Sequence, residues 1–192
     1  MRKTGHQAPY YTINGIIQRG LPVLIITCVM GILVGQLLNS REESLISMPT
    51  ILILIPSLIK IGGDTGSMLG ARLSSAFHMG LGDNLRSNPV VHNSVIAASI
   101  VGFVSSISVS ILVFLASSFL GYGMPFLTIL EISLIAVIIE LSVVYSATVA
   151  IAFISHRFGM DPDDMVIPFI ASLGDLVGVT GIFMALYILN IL

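Results

Sequence analysis

Five ionisable side chains, Lys60, Asp64, Glu131, Glu140 and Asp175, stand inside long apolar runs. An ionised group at a bilayer centre costs at least about 2.5–3.5 kcal/mol on insertion scales, so such residues pair, or line water-filled paths. Asp175 lies in "PFIASLGDLVGVTGIF", a run with no Lys or Arg of its own. Its cation therefore comes from another helix or from an ion that is not protein; a hydrogen-bonded Asp tying helices together is the structural alternative. We favour a cation site. Asp64 follows Lys60 by four residues, on one helical face, so a local Lys60–Asp64 pair competes with a role in attracting cations. Glu140 is a secondary candidate, lacking a local cation, with hydrogen bonds to Ser and Thr of neighbouring spans as its structural alternative. Glu131 is nearer a predicted end and within reach of water. His6, His78, His92 and His156 are scattered near predicted ends, with no HxxH or HxxxH spacing, and read as interfacial.

The chemistry on offer is that of oxygen ligands. Carboxylates, carbonyls, Ser and Thr suit hard cations such as Mg²⁺, Ca²⁺ or Mn²⁺. Mg²⁺ sheds water reluctantly, so one ring of carboxylates around a hydrated ion is enough for conduction. One chain supplies one Asp175; a twofold dimer brings two together and matches a divalent charge. Cys28 is the single cysteine, which excludes a disulfide framework or a Cys-based metal site. A net charge of −2 leaves no footprint for nucleic acid. No nucleophile–base constellation, HExxH or phosphate-binding glycine loop points to an enzyme.

These residues must be positioned by membrane helices. The chain has 192 residues, 55% hydrophobic and only 9% charged, against about 25% charged in soluble domains. Spans of about 20 apolar residues are predicted at about 20–39, 45–80, 93–120, 126–155 and 163–192, in one transport domain over 1–192. Residues 1–19 read as an N-terminal interfacial segment rather than a cleaved leader, "SREES" as a loop, and "GYGMP" as a break. The expectation is an all-α bundle of five transmembrane helices with no soluble regulatory domain. Arg2, Lys3, Arg19, Arg72, Arg86 and Arg157 fall on one side, and Arg41 with Glu42 and Glu43 on the other. This places the N-terminus in the cytoplasm and the C-terminus outside, in a plasma-membrane protein.

Small residues recur at helical spacing. Span three carries Ser94, Ala98, Gly102, Ser106 and Ser110, and span five Ala171, Gly174, Gly178, Gly181 and Ala185. Gly63, Gly66, Ser67, Gly70 and Ser74 follow Lys60 in span two. Close packing in lipid explains such stripes; a narrow pore is the sharper reading, with Gly63, Gly66, Ser67, Gly174 and Gly178 as lining candidates.

Two segments resemble a known family. "PSLIKIGGDTGSMLGARLSSAFHMG" is similar to the second membrane helix of the MgtE and solute carrier family 41 magnesium transporters, and "DPDDMVIPFIASLGDLVGV" to their last. The resemblance runs from about residue 15 to the end. It implies a homodimer whose cation path follows the dimer axis, lined by helices two and five. It also implies Mg²⁺ as the ion carried and bound, with Asp175 at the ion site and the Ala171 backbone carbonyl, one turn earlier, helping to hold the hydrated ion. Asp64 stands where the family usually has Asn, which adds negative charge beside the path and bears on ion preference. The family's cytoplasmic regulatory domains are not expected in these residues, so a separate regulatory chain is left open, as is a choice between three functions. These are a Mg²⁺ channel or transporter, an exchanger coupled to Na⁺ or H⁺, and a scaffold subunit with no transport of its own.

Overall fold

The computed structural model describes residues 12–81, 88–157 and 162–192. Within them the chain forms six helices: α1 (Ile13–Asn39), α2 (Glu42–Ile46), α3 (Pro49–His78), α4 (Pro89–Phe119), α5 (Phe126–Arg157) and α6 (Pro162–Ile188). All but the short α2 are long and apolar enough to cross a membrane. Lipid offers the backbone no hydrogen bonds, so a chain this apolar satisfies its peptide groups within helices.

Local chemistry sets the ends. Pro49, Pro89 and Pro162 each open a helix, where a missing N–H costs nothing. Thr12 caps α1 by accepting from the Gly15 N–H at 3.2 Å, and Asn88 caps α4 by accepting from the Val90 N–H at 2.9 Å. Gly80 (φ +79°) and Gly121 (φ +80°) close α3 and α4 in the left-handed conformation that glycine adopts without strain.

Against spans expected at about 20–39, 45–80, 93–120, 126–155 and 163–192, the long helices run Ile13–Asn39, Pro49–His78, Pro89–Phe119, Phe126–Arg157 and Pro162–Ile188. Residues 13–19 continue α1 without a break, because Thr12 already caps the helix there; residues 1–11 of the expected interfacial segment lie outside the described residues. Glu42–Ile46 forms the separate turn α2, with two acidic residues at its positive end, so Leu45 precedes the second span instead of opening it.

α3 is the hub. It packs against α4, α5 and α6, while α1 lies against α6 at the side. α3 has the lowest mean hydropathy of the five spans, 1.3 against 2.4 for α5, yet half of its most apolar window is buried. In lipid the less apolar helix belongs inside. α4 shows the same inversion: Ser94, Gly102, Ser106, Ser110 and Ser117 face the bundle, while Ile96, Ile100, Val104, Ile107 and Ile111 face outward.

The two ends of the bundle are distinct. The Phe77 and His156 rings meet at 5.1 Å, which brings the C-terminal ends of α3 and α5 together, with Arg157 beside them. At the other end Met48, Pro49, Tyr122, Thr128 and Ile191 line a shared cleft. Of the basic residues behind the expected orientation, Arg2, Lys3 and Arg86 lie outside the described residues.

Candidate functional site

The polar residues gather at one depth. Asp175 is the central residue of Pro162–Ile188, Lys60 and Asp64 flank the midpoint of Pro49–His78, and Glu140 stands at the middle of Phe126–Arg157. At the centre of a membrane each of these groups needs a partner.

Asp175 finds its partner on another helix. The Lys60 ammonium of α3 donates to Asp175 Oδ1 at 2.9 Å, the one salt bridge among the described residues. Lys60 thus reaches across to α6 instead of along its own helix to Asp64. The pair is open at one side: the Lys60 side chain is 56% exposed and that of Asp175 30%. Asp64 is exposed on the same side of α3, one turn further on.

The register that brings Lys60 to Asp175 is written in glycine. A Cβ built on Gly174 would stand 2.5 Å from both Cα and N of Gly63, so the two backbones touch directly. A Cβ on Gly63 would meet the Ala171 carbonyl oxygen at 3.1 Å, which puts that carbonyl at the α3–α6 seam. Further along, Ser67 donates to the Ile167 carbonyl at 3.3 Å, and Gly70 faces Val166. The two helices run antiparallel along this line, and the absence of side chains lets them approach.

Glu140 is enclosed. It is 1% exposed, and its Oε1 accepts from the Gly62 N–H at 3.0 Å. A Cβ on Gly62 would lie 2.3 Å from that oxygen and one on Gly178 would lie 3.1 Å away. Two glycines, one on α3 and one on α6, therefore form the slot into which α5 inserts its carboxyl group. The expected Ser or Thr partner gives way to a backbone amide.

Of the lining candidates, Gly63, Gly66, Gly174 and Gly178 are buried where helices meet, and Ser67 is half-exposed. Gly66 accommodates Val144 of α5 and Ile170 of α6, and Gly178 accommodates Ile59 and Glu140. Glu131, His78, His92 and His156 are exposed on their helices; His6 lies outside the described residues.

A second polar contact was not foreseen from sequence. The Tyr145 hydroxyl of α5 lies 2.9 Å from Thr65 Oγ1 on α3 and 2.8 Å from the Ala98 carbonyl on α4. Gly102, whose Cβ would stand 3.3 Å from that hydroxyl, makes room for it. Tyr145, the one Tyr of α5, was the available signal, since a buried phenol needs a partner.

Among the described residues no three carboxylate, imidazole or thiol groups converge on one point. Of the mid-helix carboxylates, Asp64 is exposed and Asp175 partly so, while Glu140 is enclosed. Comparison with known proteins gives one match: the model of MgtE, a divalent cation transporter, fits residues 55–185, from the turn before Lys60 to Ala185 on α6. No curated protein and no solved structure matches the chain.

Proposed function

The chain belongs to the MgtE family of divalent cation transporters, and from that premise we propose that it carries Mg²⁺ along the axis of a homodimer, between α3 and α6 of two copies. One observation carries the reading: Lys60, Asp64 and Asp175 form an exposed charged face at the middle of the membrane spans. Facing lipid, such a face is costly. Covered by a twofold copy of itself, it becomes the wall of a hydrated path. Asp175 from each copy then flanks the ion, with the Ala171 carbonyl at the same seam and Asp64 one turn away on α3. Protein oxygens this few suit an ion that keeps most of its water, as Mg²⁺ does. Gly63, Gly66, Gly174 and Gly178 hold the helices close behind the path, and Ser67 adds a hydroxyl beside it.

The basic ends of α3 and α5 face the cytoplasm in this reading, with the C-terminus outside and the protein in the plasma membrane. A second reading, exchange of Mg²⁺ against Na⁺ or H⁺, draws on Glu140, an enclosed carboxyl group directly behind Lys60 and Asp175. Flux that persists without a counter-ion gradient would sink that second reading.

The test is divalent-cation flux into proteoliposomes, native against Asp175→Asn. The expected result is Mg²⁺ flux from native protein and none from a variant that still folds and dimerises. A variant that carries Mg²⁺ like the native chain would move the ion site elsewhere. Native protein that moves no ion would favour a scaffold.

A further inference from the structure

We infer that Lys60 is a tethered competitor for the transported cation, holding the Asp175 carboxylate until a divalent ion displaces it. This rests on Asp175 being the ion site. The ammonium sits at 2.9 Å on Oδ1 of the carboxylate that a cation would approach, and offsets its charge. It is poised to leave: more than half of the Lys60 side chain is exposed, and a Lys ammonium is a point charge on a flexible stem, not the fixed fork of Arg. It also has somewhere to go. Asp64 lies four residues on, along the same exposed face of α3, at the spacing where a Lys reaches an acid on its own helix. The exchange needs side-chain rotation only; the glycine-packed backbones of α3 and α6 stay in place.

Charge balance gives this exchange a purpose. Asp64, Asp175 and Lys60 leave one net negative charge per chain, so two chains balance one divalent cation. Without Lys60 the same face would carry twice that charge and hold a divalent ion too firmly to release it. Conduction requires binding weak enough to leave. Lys60 therefore sets both the concentration at which the path fills and the ease with which it empties.

The experiment compares the Mg²⁺ dependence of flux in proteoliposomes for the native chain, Lys60→Gln, Lys60→Arg, Asp175→Asn and the Lys60→Gln/Asp175→Asn double variant. An exposed pair of this kind competes by about two- to fivefold in affinity. Lys60→Gln is expected to lower the half-saturating Mg²⁺ by that factor and to lower maximal flux with it. Lys60→Arg keeps the charge and stays at or above the native half-saturation. A second measurement uses the native chain alone. Lys60 and Lys3 are its two lysines, so acylation of Lys60 by an amine-reactive reagent can be read by peptide mass spectrometry. Mg²⁺ is expected to raise Lys60 labelling and leave Lys3 unchanged. Lys60→Gln with native or raised half-saturation, or Lys60 labelling indifferent to Mg²⁺, overturns the proposal while Asp175→Asn remains inactive. If Asp175→Asn carries Mg²⁺ normally, the ion-site reading has failed first and the Lys60 proposal fails with it.

Discussion

Replacing Gly174 by alanine tests whether the α3–α6 seam positions the charged face. The added Cβ would stand 2.5 Å from the Gly63 Cα and from its nitrogen. Carbon atoms that are not bonded prefer separations of about 3.5–4.0 Å. The obstruction is backbone, so no rotamer relieves it, and α3 and α6 must part locally by roughly 1 Å or more. Overpacking of this kind costs about 1–3 kcal/mol. The Ser67–Ile167 hydrogen bond, already 3.3 Å long, is the polar contact most easily lost from the same seam. Two comparisons calibrate the effect. A Cβ on Gly178 would meet Ile59 Cα at 2.9 Å, and one on Gly31 would meet nothing within 4 Å. Gly31→Ala should be neutral or gain up to about 1 kcal/mol, the helix propensity of alanine over glycine. Thermal unfolding in detergent should therefore rank Gly174→Ala below Gly178→Ala, and both below native and Gly31→Ala. Mg²⁺ flux should fall in the same order. Gly174→Ala unfolding at the native temperature, with native flux, would refute the reasoning, since two backbones in contact cannot admit a methyl group without moving.

Four further outcomes follow from the same geometry. Asp64→Asn should change Mg²⁺ flux with no change in unfolding temperature, because Lys60 pairs with Asp175 and no ion pair is broken; parallel losses of both would make Asp64 structural. Glu140→Ala removes the acceptor for the Gly62 N–H and empties the glycine slot, so detergent unfolding should show a loss of about 1–3 kcal/mol, while Glu140→Gln, which keeps an acceptor oxygen, should lose less. Tyr145→Phe deletes the hydroxyl between Thr65 and Ala98 and should cost about 1 kcal/mol with flux retained, checked by unfolding and flux on the same preparation. In a Cys28→Ser background, Ser67→Cys should cross-link two copies in membranes if the charged face is the dimer face; monomer alone on a non-reducing gel would speak against that interface.

That the chain is helical and crosses the membrane was legible because lipid leaves the backbone few choices, and "GYGMP" read as a break; the prolines that open α3 and α4, Pro49 and Pro89, were passed over, because hydropathy alone placed those starts at about 45 and 93. The small residues were legible as a stripe but not as a role. Spacing alone does not separate a glycine beside a path from one under a neighbouring helix, and the contacts of Gly63, Gly66, Gly174 and Gly178 put them under neighbours. The partner of Lys60 was hidden for a related reason. Sequence exposes interactions three or four residues apart, which points to Asp64, whereas the register of α6 on α3 is fixed by Gly63 against Gly174, more than a hundred positions apart.

That register also decides which charge is left over. Lys60, Asp64, Glu140 and Asp175 all sit near the middles of their helices, where an unpartnered charge is most costly. The fold answers Glu140 with the Gly62 amide and Asp175 with Lys60. Lys60 cannot serve Asp64 while it holds Asp175. Asp64 is thus the acid whose charge the described residues of one chain do not pair, and it stands exposed. As a carboxylate it is tolerable in the membrane where water, a second copy or a cation reaches it. On the proposed reading, a second copy or a divalent cation supplies the charge that Asp64 lacks within one chain.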